Sequence, residues 1–253
     1  MVFEKYAQYY DLLYQDKDYR AETDYILSLI KKYQPDTCKV LEFGAGSGIH
    51  GRKLANAGFH VHGIERSQEM IGLGHSSNQG KDQITNFSCT QGDCTSTILG
   101  DDFDTVISLF HVLSYQTSNE ELIAMLKNAH RQLKPGGIFI FDYWYAPAVW
   151  HIGPTLRVKR VSNHQLAITR IAEPECFRDQ NIVKVNYQTF VKELKSNQIS
   201  EIKEIHEMRA FETEEIKEFA SQSGFALLHS EEWLTNHNPS KETWGVCTIL
   251  QKN

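Results

Sequence analysis

The hydrophobic pattern of the chain begins with two helical stretches and then alternates between strand-like and helix-like segments. Apolar side chains recur at helical spacing at Tyr6, Tyr10 and Leu13, and again between Ile26 and Tyr33. The pattern then predicts strands near 38–43, 60–65, 85–89, 104–109 and 137–142, and helices near 47–57, 67–75 and 119–133. Such alternation is typical of a mostly parallel sheet that is covered by helices on both faces.

The pattern changes after Trp150. Apolar and polar residues alternate around Val158, Ile168 and Val185, which predicts half-exposed antiparallel strands. A helix is predicted from Thr213 to Gly224, and two apolar runs at 225–233 and 244–251 predict a final hairpin. We therefore expect an α/β fold: a Rossmann-like, doubly wound, mostly parallel seven-stranded sheet, with an antiparallel β insertion that covers the substrate.

A glycine-rich loop follows the first predicted strand. Gly44, Gly46 and Gly48 occupy alternate positions, and the second predicted strand ends on Glu65, 21 positions after Gly44. Glycines let the backbone turn sharply and let a ligand approach the main chain closely. A carboxylate at the end of the next strand can accept both hydroxyls of a ribose. The glycine loop and Glu65 together predict a ligand that contains adenosine.

The spacing within the loop narrows the choice of ligand. Ile49 stands where a dinucleotide fingerprint has its third glycine, and no Gly-Lys-Ser/Thr closes a P-loop. Glu42, just before the loop, would repel a phosphate and suits a cationic ligand. S-adenosyl-L-methionine has a sulfonium charge, an amino group and a ribose, and it has no phosphate. It fits the loop better than a nucleotide does.

Five ordered motifs resemble class I S-adenosylmethionine-dependent methyltransferases. They are Glu42 to His50, Glu65 to Ile71, Gln91 to Cys94, Phe103 to Leu109 and Leu133 to Gly137, within a similarity that covers Tyr6 to about Tyr145. The resemblance implies that S-adenosyl-L-methionine is the cofactor and S-adenosyl-L-homocysteine its product. The cofactor-binding residues that it implies are Tyr14, Glu42, Gly44, Ala45, Gly46, Glu65, Arg66, Met70, Asp93, Cys94 and Leu109.

The layout resembles one branch of these enzymes, which methylates amino or hydroxyl groups of nucleotide-linked sugars. The shared pieces are the run from Tyr10 to Tyr14, the pair Asp18-Tyr19, and Ile168 to Arg170 before a strand pair. The resemblance implies that Tyr14 closes over the cofactor. Phe110-His111 replaces the small residues of the aminosugar enzymes, and this departure favours a hydroxyl over an amine as the methyl acceptor.

Candidate catalytic and substrate residues follow the fourth and fifth strands. His111 comes just after the fourth strand, where a neutral imidazole could accept the proton of a sugar hydroxyl near pH 7. We assign catalysis to His111 and Tyr14. Aromatic rings after the fifth strand could stack on a sugar or a base, and an arginine could meet a phosphate. The predicted substrate contacts are Tyr143, Trp144, Trp150 and Arg170.

Composition limits the partners. The net charge is −6 and there is no long basic run, which disfavours a nucleic acid. No stretch is apolar enough for a membrane span, and the N-terminus has no signal core. The five scattered cysteines and the spacing of His, Asp and Glu argue against a metal. We expect a cytoplasmic protein that acts on a small molecule without nucleic acid, membrane or metal, and the choice between monomer and homodimer stays open.

We expect transfer of a methyl group from S-adenosylmethionine to a hydroxyl, or to an amine, of a nucleotide-linked or glycan-related sugar. The predicted units are 1–150, with the N-terminal helices and the cofactor-binding core; 151–210, the substrate cover; and 211–253, the last helix and the hairpin. Three alternatives stay open: N-methylation of an aminosugar or other small amine, a nucleotide-sugar or dinucleotide oxidoreductase, and a non-catalytic cofactor-binding partner. Ile49 and the lack of a Tyr-x-x-x-Lys pair argue against the oxidoreductase.

Overall fold

A computed structural model of the chain describes residues 7–77, 85–100 and 102–253. The helices are α1 (Ala7–Leu13), α2 (Tyr19–Tyr33), α3 (Ile49–Asn56), α4 (Gln68–Ser77), α5 (Asn119–Gln132), α6 (Ala146–Ile152) and α7 (Thr213–Gln222). The strands are β1 (Lys39–Phe43), β2 (His60–Glu65), β3 (Phe87–Gln91), β4 (Phe103–Ser108), β5 (Leu133–Tyr145), β6 (Arg157–Ser162), β7 (Leu166–Phe177), β8 (Ile182–Glu193), β9 (Ile199–Phe211), β10 (Phe225–Glu232) and β11 (Gly245–Lys252).

The core sheet has the order β3-β2-β1-β4-β5-β11-β10. Its first five strands are parallel, and β11 runs antiparallel to β5 and to β10. Every residue of β4 is buried because helices cover both faces of the sheet. Helices α5 and α7 pack on one face through Leu122, Met125 and Ile216, and α2 and α3 pack on the other through Ile26 and Leu54.

The segment that was predicted to cover the substrate forms an antiparallel sheet of β6, β7, β8 and β9. This cover sheet joins the core where Trp144 and Tyr145 at the end of β5 pair in parallel with Ala210 and Phe211 at the end of β9. Its inner face packs on α1, because Leu13 shares a buried apolar cluster with Ile168, Val191 and Ile202. The cover and the N-terminal helix therefore enclose the carboxyl ends of the parallel strands together.

The fold confirms the predicted α/β class with a mostly parallel sheet and antiparallel strands. The five parallel strands and the final hairpin lie at the predicted positions. Ser118 and Glu121 form a capping box at the start of α5. Helix α6 is the main difference, since the hydrophobic pattern predicted no helix at 146–152. Strand β9 runs across the predicted boundary at 210, the three-unit division itself stays a prediction, and Tyr6 lies outside the described residues.

The helices of the described residues are all too short or too polar to cross a membrane. Within the same part of the chain, no three His, Cys, Asp or Glu side chains are grouped so that they could hold a metal ion.

Candidate active site

A cavity of about 510 Å³ lies at the carboxyl ends of the parallel strands, between the core and the cover sheet. This is where ligands bind in open α/β sheets. Most of the predicted site residues line it: Tyr14, Gly44, Ala45, Gly46, Glu65, Arg66, Met70, Cys94, Leu109, His111 and Trp144. Residues that are far apart in the sequence thus share one enclosed space.

The glycine loop forms the floor of the cavity, and two of its glycines are required for different reasons. Gly44 has a φ of +69°, and a Cβ there would come within 2.5 Å of the Val112 side chain. Gly46 has a φ of +57°, and a Cβ there would meet only the Met70 methyl group, at 3.4 Å. Since Gly46 and Met70 both line the cavity, the bare backbone at Gly46 is open to a ligand rather than filled by protein.

Glu65 ends β2 with its carboxylate held by the backbone. Its two oxygens accept hydrogen bonds from the Gly46 and Ser67 amides, each at 2.8 Å. The residue is 8% exposed, and burial raises the pKa of the Glu65 carboxyl while the amide hydrogen bonds lower it. Each carboxylate oxygen has a second lone pair, so this orientation suits a ligand with two adjacent hydroxyls.

Glu42 lies beneath the loop, behind the cavity wall. Its Oε2 is buried without a hydrogen-bond partner among the described residues, and it stands 2.6 Å from where a Cβ on Gly51 would be. Burial raises the pKa of the Glu42 carboxyl to about 8, although Arg52 opposes the shift. A nearby positive charge would favour the ionised form of this carboxyl and bring its pKa back towards the usual range.

Replacing Glu42 with glutamine should flatten the pH dependence of stability. Between about pH 4.3, where an unfolded glutamate ionises, and the native pKa of about 8, the folded protein keeps a proton that the unfolded chain releases. The wild-type free energy of unfolding should therefore fall as the pH rises through this window, by a few kcal/mol from this group. Glutamine does not titrate, so Glu42→Gln removes this contribution to the pH dependence of the free energy of unfolding.

Urea unfolding of both proteins at pH 5, 6.5 and 8 measures this effect. The wild type should lose more stability than Glu42→Gln between pH 5 and pH 8. Glu120→Gln is the control, because Glu120 is exposed on α5. Parallel stability curves for the wild type and Glu42→Gln would contradict a raised pKa at Glu42.

Asp93 and Arg66 form an ion pair at the ends of β3 and β2. The Asp93 carboxylate also accepts hydrogen bonds from the amide and hydroxyl of Thr95, at 2.8 and 2.6 Å. Burial alone would raise the pKa of Asp93, but the bonds from Thr95 and Arg66 hold it below its usual range. Gly92 and Cys94 line the cavity, whereas Asp93 fixes the turn between them.

His111 and Asp142 form a pair at the ends of β4 and β5. His111 Nδ1 lies 2.7 Å from Asp142 Oδ2, and the His111 amide donates to the same carboxylate at 3.1–3.2 Å. Burial alone would raise the pKa of Asp142, which is 1% exposed, but the adjacent His111 ring and amide hold it below its usual range. With Nδ1 against the carboxylate, Nε2 is the ring nitrogen left for a ligand.

The backbone at His111 is strained. Phe110 and His111 both have positive φ, at 66° and 63°, which is rare for residues other than glycine. The Nζ of Lys17 lies 3.3 Å from the centre of the Phe110 ring, and Tyr14 packs edge-on against the same ring at 5.3 Å. Such strain persists where the surroundings fix it, often at functional sites. Here the contacts from the N-terminal segment and from Asp142 do so.

Lys17 belongs to a buried charged group beside the glycine loop. Its Nζ lies 3.0 Å from Glu22, which also contacts His50 Nε2 at 2.7 Å. Burial lowers the pKa values of both Lys17 and His50, and Glu22 opposes the shift in each. The group ties the segment before α2 to the start of α3, so it supports the side of the cavity that carries Tyr19 and His50.

Four predicted substrate residues have different surroundings. Trp144 lines the cavity, where its ring is 6.2 Å from that of His111. Tyr143 is fully buried in the core against Phe141 and Phe211, so the prediction that it contacts substrate is corrected. Trp150 Nε1 donates to Asn181 outside the cavity wall. Arg170 stands behind Tyr14, to whose hydroxyl it donates at 3.1 Å.

A protein-family model described as a methyltransferase domain matches residues 40–137, which contain the glycine loop, Glu65 and His111. Residues 40–137 therefore form a methyltransferase domain. A dTDP-3-amino-3,4,6-trideoxy-alpha-D-glucopyranose N,N-dimethyltransferase of Streptomyces venezuelae is 28% identical over 150 residues, 58% of this methyltransferase. That match spans only 61% of the relative. A putative methyltransferase of Bacillus subtilis, YqeM, is 25% identical over 253 residues, 100% of this chain and 98% of that one.

Solved structures show the same fold. An S-adenosylmethionine-dependent methyltransferase from Clostridium acetobutylicum superimposes with a TM-score of 0.81 at 19% identity, and the alignment covers 98% of each chain. An amino pentose methyltransferase from Micromonospora echinaspora, solved with S-adenosylmethionine bound, gives a TM-score of 0.76 at 20% identity over 100% of this chain and 98% of its own. The cover sheet lies within both alignments.

Sequence reasoning missed several residues of the cavity wall: Tyr115, Tyr187, His206, Met208 and Trp244. Alternation of apolar and polar residues identified the cover strands, but it does not show which face of a strand turns towards the core. The aromatic Trp244 just before β11 was part of the predicted hairpin, and only the pairing of β11 with β5 brings it to Trp144, at 5.4 Å between ring centres.

Proposed function

We propose that this methyltransferase transfers a methyl group to a hydroxyl of a small nucleotide-linked or glycan-related sugar. The observation that carries the proposal is that one cavity joins the glycine loop and Glu65 to the His111–Asp142 pair. The first half suits the adenosine and charge of S-adenosylmethionine, and the second provides a nitrogen that can accept a proton. Such a pair is needed for a hydroxyl, which is a weak acid, more than for an amine.

The residues of the cavity have separate roles in this proposal. S-adenosylmethionine supplies a methyl group on a sulfonium, which is already activated for displacement. Glu65 would hold the ribose hydroxyls, Gly46 would give the cofactor room, and Tyr14 would cover it. The cavity would align the acceptor oxygen with the methyl group and exclude water. His111 Nε2 accepts the proton of the hydroxyl, and Asp142 orients the ring and stabilises the imidazolium that forms.

Basic residues of the cover sheet support an acceptor that carries phosphate. Arg157 lines the cavity, and Arg170 lies over the rings of Tyr14 and Tyr187 at 5.4 and 5.0 Å. One guanidinium group can donate two parallel hydrogen bonds to two oxygens of a phosphate. The cavity wall at Trp144 and Trp244 offers aromatic surface to a sugar or base.

An amine is the second candidate acceptor. The Streptomyces venezuelae relative is an N,N-dimethyltransferase of a dTDP-aminosugar, which supports a nitrogen acceptor here. The two acceptors differ in their need for His111, because an amine can lose its proton to water after the methyl has moved.

Calorimetry followed by a methyl-transfer assay tests the proposal. Binding of S-adenosylmethionine and S-adenosylhomocysteine is expected, and binding of NAD is not. The assay uses radiolabelled S-adenosylmethionine with dTDP-linked sugars that carry either hydroxyls alone or an amino group. Transfer to a hydroxylated sugar supports the first candidate, and transfer only to aminosugars supports the second. Cofactor binding without transfer to any nucleotide-linked sugar would overturn the proposed acceptor class.

Glu65→Ala should weaken cofactor binding without unfolding the protein. The variant removes a buried carboxylate that is proposed to accept two ribose hydroxyls, which should cost on the order of 1–3 kcal/mol of affinity. Calorimetry with S-adenosylhomocysteine measures the loss. Glu69→Ala is the matched control, since Glu69 is exposed on α4 only four positions away. Equal affinity in the wild type and Glu65→Ala would refute this placement of the ribose.

A further inference from the structure

Three polar side chains form a hydrogen-bonded line on the acceptor side of the cavity. The Tyr115 hydroxyl lies 2.7 Å from His206 Nδ1, and His206 Nε2 lies 3.2 Å from the Glu204 carboxylate. Tyr115 is in the turn after β4, and the other two are on one face of β9, two positions apart. Tyr115 and His206 line the cavity, and the imidazole is only 5% exposed. None of the catalytic steps proposed above uses this line.

The line has a direction that follows from the donors and acceptors in it. A carboxylate can only accept, so the Nε2 atom of His206 carries the hydrogen that points to Glu204. If His206 is neutral, its one N–H is on Nε2, so Nδ1 is an acceptor and Tyr115 is its donor. A phenol oxygen that donates its hydrogen presents only lone pairs to any further partner. Towards the cavity, Tyr115 is therefore a hydrogen-bond acceptor.

The surroundings keep Tyr115 in this state. Burial, together with the neighbouring phenols and Glu204, raises the pKa of the Tyr115 hydroxyl well above its ordinary value. The hydroxyl therefore stays protonated and cannot act as a phenolate base. The Tyr187 ring packs edge-on against His206 at 4.8 Å between ring centres, which fixes the plane of the imidazole. The line thus accepts a hydrogen bond in a fixed direction. It does not take up a proton in competition with His111.

We propose that Tyr115, with its direction set by His206 and Glu204, accepts a hydrogen bond from a second polar hydrogen of the methyl acceptor, next to the group that His111 deprotonates. This rests on the proposed function and deepens it. The acceptor class is then a sugar that carries two neighbouring donors, such as adjacent hydroxyls or a hydroxyl beside an amine. A deoxy sugar that lacks the second donor leaves the Tyr115 oxygen without that bond, and it should be a poorer substrate.

Kinetics with matched sugars test this role for Tyr115. With a dTDP-linked sugar that has two adjacent donors, Tyr115→Phe should raise KM about tenfold to a hundredfold and change kcat less than threefold, because a uniform binding contact is lost. The affinity for S-adenosylhomocysteine should stay within twofold. With the corresponding deoxy sugar, the wild type and Tyr115→Phe should have equal KM values. Tyr33→Phe, on α2 outside the cavity, is the control.

Nuclear magnetic resonance tests the direction of the line without any acceptor. In protein labelled with ¹⁵N-histidine and saturated with S-adenosylhomocysteine, His206 should carry its hydrogen on Nε2, and Tyr115→Phe should shift only its Nδ1 signal strongly. Glu204→Gln should give a mixture of both tautomers, because an amide can donate or accept. The loss of one signal set in His206→Gln assigns the resonances.

The outcomes separate this inference from the proposed function. A hydrogen on Nδ1 in the wild type would overturn the inference, because Tyr115 would then donate into the cavity. Equal KM values for the wild type and Tyr115→Phe on the two-donor sugar would also overturn it. If no nucleotide-linked sugar is methylated, the proposed acceptor class fails, and the tautomer measurement still decides the direction of the line.

Discussion

Replacing His111 with asparagine should reduce turnover about 10²- to 10⁴-fold on a hydroxyl acceptor and leave cofactor affinity unchanged. The proton of the hydroxyl must leave as the methyl arrives, and Nε2 of His111 is held for this task by the contact of Nδ1 with Asp142 at 2.7 Å. Asparagine tolerates the positive φ of this position, so the strained turn should persist.

Single-turnover kinetics on the hydroxyl acceptor, with S-adenosylhomocysteine binding measured alongside, provide the test. His60→Asn is the control, since His60 is exposed at the start of β2. Near-normal turnover by His111→Asn on the true acceptor would remove the base from the mechanism and favour N-methylation. A loss of cofactor binding in this variant would instead assign His111 to the cofactor half of the cavity.

Gly46→Val should abolish cofactor binding in a protein that still folds. A Cβ at this position meets only the Met70 methyl group, at 3.4 Å, so the isolated protein has room for it. The proposed cofactor would lie against that backbone. A side chain at position 46 would therefore take the space that the cofactor needs. A β-branched residue at a φ of +57° adds strain of about 1–3 kcal/mol. Circular dichroism would establish folding, and calorimetry with S-adenosylhomocysteine would measure binding.

Gly136→Val is a control that separates the effect of backbone strain from the effect of filling the cavity. Gly136 has a φ of +75° with no atom within 4 Å of a Cβ, so valine there carries the strain without touching the cavity. This control should lose stability and bind normally, and Gly46→Ala, with less strain, should bind as poorly as Gly46→Val. Normal binding by a folded Gly46→Ala would show that the ligand does not lie against this loop.

The core of the fold was predictable because its signals are local. A strand that is buried on both faces gives a continuous apolar run. A glycine loop between a strand and a helix marks both the end of β1 and the start of α3. The capping box at Ser118 and Glu121 marks the start of α5 for the same reason, since its bonds join residues three apart. Each of these features depends on neighbours in the sequence.

The site was only half predictable, because side-chain direction and long-range pairing decide the rest. Tyr143 and Trp144 are adjacent aromatic residues, yet alternation along β5 puts one in the core and the other in the cavity. His206 reaches Tyr115 across 91 positions of sequence through the register of the cover sheet. No local pattern predicts such a contact. The pairing of Asp142 with His111 likewise needed the parallel register of β4 and β5.

The junction of β9 with β5 has a consequence for how this protein can diversify. The glycine loop and Glu65 come before position 66, whereas six residues of the cavity wall, from Trp144 to Trp244, come after position 143. The cover is one continuous stretch of chain whose two ends both return to the edge of the core, through α6 at its start and through β9 at its end. Substitutions in that stretch can reshape one wall of the cavity while the glycine loop and Glu65 stay untouched. Under the roles proposed above, much of the acceptor choice is therefore inherited on a different part of the gene from donor binding.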